Sequence, residues 1–217
     1  MMVSRAAAEL TTTSYAILGL LAIQPWTTYE LARHMDRSLG RLWPRAQSKI
    51  YEEPKKLAER GLAKATDERV GKRPRTVYSI TAKGRRALRD WLALPARGPQ
   101  LEHEQLLKIF FAEHGTRADV IQHIDEMRRW ARAQRAEHEL VGGGYLSGAG
   151  QFPERAPQLL LTGGFLMRFS EMVLDWCEWA DAIVSKWPED VREAELDLDA
   201  LEGLLGRKRA ARGRAAG

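Results

Sequence analysis

Arg45, Gln47, Ser48 and Lys49, followed closely by Tyr51, Lys55 and Lys56, place guanidinium, amide, hydroxyl and ammonium donors in one short stretch of chain. These are the groups that base edges and phosphate oxygens accept. Arg and Lys suit guanine, Gln suits adenine, and Ser and Tyr suit the backbone. Lys55 and Lys56 read as phosphate partners or as plain solvated charges, and Tyr51 as a phosphate donor or as a ring packed on a neighbouring helix. A second cluster, Lys72, Arg73 and Arg75, surrounds the turn Gly71-Lys72-Arg73-Pro74. An arginine on such a tip fits a narrow minor groove. Both clusters fall within residues 41–89, which hold fifteen Lys and Arg against five Asp and Glu on a chain whose net charge is only +5. Such a field attracts polyanions, because neutralising phosphates releases their condensed counterions.

Other chemistries lack support in the sequence. His34, His103, His114, His123 and His138 form neither a His-x-x-x-His pair nor a Cys-His cluster, so no metal site is expected. Cys177, the single cysteine, lies in an apolar helical pattern without a basic neighbour and reads as a buried thiol. No phosphate-binding loop, dinucleotide fingerprint or nucleophile elbow occurs, and the carboxylates are scattered. The expectation is a protein that is not an enzyme and needs no cofactor. No apolar run approaches the roughly 20 residues that span a bilayer, and the amino-terminal residues carry no export signal. With one cysteine, that favours a cytoplasmic protein.

The donors need a frame, and the hydrophobic pattern supplies one. Thr11-Thr12-Thr13-Ser14 offers cap oxygens before a run from Tyr15 to Ile23 that is apolar on nearly every face, predicting a buried first helix. Pro25 stops it. Thr27 or Thr28 then caps a second helix, with Tyr29, Leu31, Ala32 and Met35 at helical spacing through about Ser38. A third segment runs from about Pro44 to Arg60, with Ile50, Leu57 and Ala58 on one side and Gly61 as its stop. Pro54 falls inside it, so that helix either kinks near Tyr51 or starts late with Pro54 in its first turn. Residues 62–68 and 75–80 read as a β-hairpin with a basic tip. Thr81 caps a closing helix in which Ala82, Leu88, Trp91 and Leu92 face the core, and Pro95 to Pro99 ends the unit. The order α-α-α-β-β-α over residues 10–95 is that of a winged helix-turn-helix, whose third helix enters the major groove.

The remainder is helical in pattern, so the chain as a whole is mainly α. Helices are expected at roughly 102–114, 117–141 and 158–186, forming a dimerisation or effector domain over residues 100–188. Gly142-Gly143-Gly144 and the stretch to Pro157 read as a mobile connection between two antiparallel helices. Trp176 and Trp179 share a helical face with Phe169, Met172 and Val173. With Trp130 these form a dimer seam, or line a pocket for a small apolar or aromatic effector. Residues 189–217 read as an acidic short helix and a basic disordered tail.

Three segments carry a family resemblance: TSYAILGLLAIQPWTTYELARHM, SKIYEEPKKLAERGLA and VGKRPRTVYSITAKGRRAL. From Ser14 to Leu94 the chain resembles the PadR family of bacterial transcriptional regulators. The last segment is the most specific, with Lys-Gly entering a helix where the wing returns to the body. The helical half resembles, in layout only, the long carboxy-terminal extension of a PadR subfamily. Pro54 departs from the family pattern, which has an aliphatic core residue there. The resemblance implies a homodimeric repressor whose DNA affinity is lowered by a small molecule.

The partners expected are therefore double-stranded DNA, a second copy of the chain and a small effector, with no membrane. The two third helices would enter successive major grooves roughly 34 Å apart on a pseudopalindrome. The rival reading is a protein-binding adaptor that uses the winged domain as a docking surface. A second rival, a ligand-binding or catalytic helical protein, requires a convergent polar pocket that the sequence does not reveal.

Overall fold

A capping box opens the first helix, α1 (Thr12–Ile23), in the computed structural model of the chain. The Thr11 hydroxyl accepts from the Ser14 amide, and the Ser14 hydroxyl accepts from the Thr11 amide. Both donors would otherwise be left open at a helix start. The structure describes residues 10–40, 42–43, 49–70 and 73–206, and divides after Pro99 into two compact units.

In the first unit α1 is nearly enclosed, as its uniformly apolar sequence requires, with Ile17, Leu18 and Leu21 fully buried. A two-residue strand absent from the sequence expectation follows: β1 (Trp26–Thr27) pairs with Tyr78 and Val77. Two residues carry no readable period, so only tertiary pairing reveals it. Thr27 caps α2 (Thr28–His34) in a second capping box, closed by Glu30. The helical stretch continues as a π-helical turn over Met35–Leu39, which leaves Met35 in the core.

The third helix differs from expectation. Of the segment drawn from Pro44 to Arg60 the described residues are 49–60, and among these helix α3 occupies Glu53–Glu59, with Pro54 in its first turn. That position suits a residue without an amide proton, since the first-turn amides have no intrahelical acceptor. Among the described residues α3 starts late, after a turn at residues 50–52. Gly61 adopts φ 69° after it, and the Leu62 and Gly61 amides close back onto Leu57 and Ala58. Strands β2 (Ala63–Val70) and β3 (Arg73–Ile80) form the antiparallel hairpin, and the sheet order is β1-β3-β2. Helix α4 (Ala82–Leu92) closes the unit, with Trp91 stacked on Tyr15 of α1 at 4.8 Å.

The second unit opens with α5 (Glu104–Phe110) and a separate 3₁₀ turn, Ala112–His114. Thr116 and Asp119 then box the start of α6 (Arg117–Leu146). Here the expected mobile connection is corrected: α6 runs straight through Gly142-Gly143-Gly144. Glycine costs about 1 kcal/mol per helical position, but it does not forbid the helical φ and ψ. The helix stops at Gly148, with φ 77°, where the Ala149 and Gly148 amides return to Gly144 and Tyr145. After a 3₁₀ turn at Pro153–Arg155, α7 (Ala156–Val184) comes back antiparallel.

The two long helices interlock through a three-four repeat. Val120, Ile124, Met127 and Ala131 of α6 face Ser170, Val173, Cys177, Ala180 and Val184 of α7, all buried. The Cys177 thiol donates weakly to the Ile124 carbonyl at 3.6 Å, and burial pushes its pKa up. Arg128 bridges the pair by ion pairs to Asp125 and Asp181. Beyond Ala131 on α6, and before Ser170 on α7, side chains are at most half-buried, as Gln134, Leu166, Met167 and Phe169 are. A 3₁₀ turn (Val191–Glu193) and α8 (Leu198–Leu204) follow, while the basic tail from Arg207 lies outside the described residues. Among the described residues no helix is long and apolar enough to cross a membrane.

Candidate nucleic-acid interface

The first unit presents α3 on a fixed base. Pro54 and Leu57 are buried, while Lys55, Lys56, Glu59 and Arg60 are exposed, as the spacing of a two-turn amphipathic helix dictates. Lys49 and Tyr51 lie before α3 rather than on it, and Lys49 is exposed. Tyr51 is 67 % exposed, so its ring stands in solvent rather than packing on α1. Lys56 is held by Glu52 one turn earlier, at 3.0 Å. Arg45, Gln47 and Ser48 lie outside the described residues.

One buried acid in this basic stretch went unnoticed in the sequence. Glu53 is only 8 % exposed, and the Ser14 hydroxyl of α1 donates to its carboxylate. Close by, the Trp43 indole donates to Thr13 Oγ1 at 3.1 Å. The start of α1 thus holds residues on both sides of positions 44–48. The signal for Glu53 was its place one residue before Pro54, in the first turn of a late-starting helix.

The hairpin projects the second cluster. Arg75 lies opposite Glu68 in the register and binds it through Nε at 3.2 Å and Nη2 at 2.7 Å. One of the three expected wing cations is thus already engaged by a carboxylate, an exposed pair of the kind that adds little to stability. Next to it, Thr76 donates to Asp67. Arg73 begins β3, and Lys72 lies outside the described residues.

The wing returns to the body through a fastening built on Thr81. Its amide donates to the Leu62 carbonyl at 3.1 Å, and its hydroxyl donates to the Gly61 carbonyl at 2.8 Å and accepts from the Gly84 amide at 3.0 Å. Lys83 donates to the Arg60 carbonyl at 2.7 Å. This locks the end of α3, the hairpin and α4 together. Behind them Trp26 donates to the Leu20 carbonyl at 2.9 Å and its ring lies 4.0 Å from His34. Burial, then the neighbouring Arg37 and Arg33, lower the His34 pKa. Hydrogen bonding from Thr27 lowers that of Glu30.

In the second unit the aromatic stripe divides between two environments. Phe169 and Trp176 pack against the unit's own α6–α7 core. Trp130 meets Phe169 edge-on at 6.2 Å. Trp130, Met172 and Trp179 keep 41 %, 50 % and 37 % of their surface exposed. A groove of about 400 Å³ lies elsewhere, between α5 and the start of α6, lined by Leu107, Phe111, Val120 and His123 among others. Among the described residues no group of His, Cys, Asp and Glu is placed to hold a metal.

Comparison with known proteins follows the same division. Residues 17–90 match the Transcriptional regulator PadR-like family, and residues 102–185 match the Virulence activator alpha C-term family. The chain is 33 % identical over 99 residues to the negative transcriptional regulator PadR of Bacillus subtilis, which covers 45 % of this chain and 54 % of that protein. It therefore spans about half the length of that relative. It is 28 % identical over 195 residues to a probable transcriptional regulator of Mycobacterium tuberculosis, covering 79 % of this chain and 97 % of that protein. Its fold is similar to that of Bacillus subtilis PadR solved with operator DNA, at a TM-score of 0.68 and 23 % identity over 80 % of this chain and 99 % of that one. The same protein solved with p-coumaric acid gives a TM-score of 0.63 at 22 % identity, over 81 % of this chain and all of that one.

Proposed function

Because this chain belongs to the PadR-like family of transcriptional regulators, a membership carried by residues 17–90, we propose that it is a homodimeric repressor released from its operator by a small molecule. Residues 10–95 read DNA, and residues 100–188 dimerise and bind the effector. The observation that carries the reading is the exposed basic surface of α3 and the turn before it, mounted on a capped and fully packed α1. Lys49, Tyr51 and Lys55, with Arg45, Gln47 and Ser48 just upstream, contact bases and phosphates, and Lys72, Arg73 and Arg75 of the wing enter the adjacent minor groove. The family consists of transcriptional regulators, which are not enzymes. The protein acts in the cytoplasm, where bacterial DNA lies.

A second copy completes the molecule. Leu140, Val141, Leu146, Leu160, Leu161 and Phe165, on the half of the α6–α7 hairpin that has no core of its own, are all more than half exposed. Apolar surface of that extent on a soluble chain marks an interaction face. Trp130, Met172 and Trp179 extend it. The effector is a small apolar or aromatic compound, consistent with the p-coumaric acid bound by the Bacillus relative. It acts by binding more tightly to the arrangement that does not fit the operator.

Fluorescence anisotropy against the chain's own upstream DNA and a scrambled duplex, at two salt concentrations, tests the reading. Salt-sensitive binding that prefers the upstream duplex about a thousandfold is expected. Lys49→Glu with Arg73→Glu should abolish it and leave the dimer intact. Equal, weak binding to both duplexes would instead favour the protein-binding adaptor.

A further inference from the structure

We infer that Glu53 is a positioning residue for DNA recognition, holding α3 in one rotational setting through Ser14 of α1; the inference rests on the DNA-reading function above. A carboxylate that is 8 % exposed sits at considerable desolvation cost. Its neighbours on the same buried face, Ile50, Pro54 and Leu57, show that an apolar side chain would fit the environment. Burial alone therefore does not explain an acid here. Direct contact with DNA does not explain it either, since a carboxylate repels phosphate and this one is withdrawn from the surface.

Direction explains it. Helix α3 has only seven residues and no side-chain cap on its first turn, and its helical residues bury only Pro54 and Leu57 besides Glu53. Apolar contacts have no preferred angle, and so few of them resist rotation about the helix axis weakly; the bonds to Leu57, Ala58 and Arg60 fasten only the far end of the helix. A hydrogen bond to a charged acceptor is directional and roughly twice as strong as a neutral one. The donor is itself fixed. Ser14 is 1 % exposed, its oxygen accepts from the Thr11 amide at 3.0 Å, and its one proton goes to Glu53. The capping box that starts α1 therefore also aims α3. Each residue of rotation swings a side chain by about 100°, enough to turn Lys55 away from a groove. The Trp43 to Thr13 hydrogen bond ties the other flank of the reading stretch to the same turn of α1.

The test uses the full chain and two duplexes: one enriched by the wild-type protein from a randomised pool, and its scrambled counterpart. Glu53→Gln keeps an acceptor for Ser14 and should keep the preference for the enriched duplex. Glu53→Ala and Ser14→Ala remove one partner each and should lower that preference about tenfold or more, the size of one or two lost base contacts. Affinity for the scrambled duplex and its salt dependence should stay, because no phosphate contact is removed. Measurement is made well below the calorimetric transition of each variant, so that lowered stability does not enter. Preference unchanged in Glu53→Ala and Ser14→Ala would overturn the inference, as would equal losses on both duplexes. Failure of the wild-type protein to enrich any sequence would overturn the DNA-reading function itself, and the inference with it.

Discussion

Replacing Gly84 with alanine should destabilise the winged unit even though alanine is the better helix former. Gly84 sits in the first turn of α4, and a Cβ built there would lie 2.1 Å from the Leu62 carbonyl oxygen and 2.9 Å from Ile80 Cγ1. Ordinary contact begins near 3.4 Å, so helix and turn must separate by more than an ångström. The oxygen in the way is the one to which the Thr81 amide donates at 3.1 Å. Separation therefore forfeits that bond, at about 1 kcal/mol, and adds roughly 1–3 kcal/mol of overpacking. The gain in helix propensity returns about 1 kcal/mol. The net loss is about 1–3 kcal/mol, which for a unit of this size lowers Tm by roughly 5–20 °C. Gly19, inside α1, is the matched control, since a Cβ there meets nothing within 4 Å. Gly19→Ala should raise Tm by a few degrees. Differential scanning calorimetry of the full chain, with hydrogen exchange to assign the transition to the winged unit, reads both. A Gly84→Ala protein that melts at or above the wild-type temperature would refute the reasoning.

Glu68→Gln should release Arg75 from its cross-strand partner and remove one negative charge from the wing, raising DNA affinity about fivefold, the upper range for an exposed pair. The slope of log affinity against log salt should steepen by about 0.9 as one more phosphate is neutralised, and an unchanged slope in anisotropy titrations would place Arg75 off the DNA. The winged unit should lose stability as pH falls below about 6.5, because the half-buried His34 takes up a proton less readily folded than unfolded. The loss runs from the unfolded pKa down to the folded one and then levels. Thermal melts of His34→Gln should lack that component, and identical pH profiles for the two proteins would count against it. Leu161→Glu with Phe165→Glu, both at exposed positions of α7, should convert the protein to a monomer in analytical ultracentrifugation; a persisting dimer would exclude this face.

How far the sequence discloses the structure depends on where each stop signal lies. Gly61 reads correctly as a helix terminator because it follows a strong amphipathic run and the chain has no other way to turn there. Gly142 to Gly144 mislead by the same logic. Three glycines resemble a break, but the residue with the required left-handed backbone is Gly148, four positions after the last of them. Composition marks where a helix is weak. Only the hydrogen bonds of the closing turn mark where it ends. Pro54 shows the converse: kink and late start have equal standing in sequence, and the described residues place Pro54 in the first turn of α3 with Glu53 and Leu57 buried beside it. Glu53 was hidden because acids in a basic stretch read as surface. The cross-strand pairing of Arg75 was equally hidden, since it depends on the hairpin register.

The same glycines bear on the proposed dimer. Gly142, Gly143 and Gly144 on α6, with Gly163 and Gly164 on α7, meet nothing within 4 Å where a Cβ would stand. They therefore do not serve the packing of α6 against α7. Five glycines at about 1 kcal/mol each weaken a hairpin whose outer half already leaves its side chains at most half-buried. An isolated chain gains nothing from such a design. A second copy does, because small residues let helix backbones approach closely while Leu140, Leu160 and Phe165 supply the apolar surface to be covered. In the proposed dimer, stability of the outer hairpin and association would be one equilibrium. The separation of the two winged units would then be set by how two copies of this hairpin pack, and a small molecule that altered that packing would change the fit to DNA without touching α3.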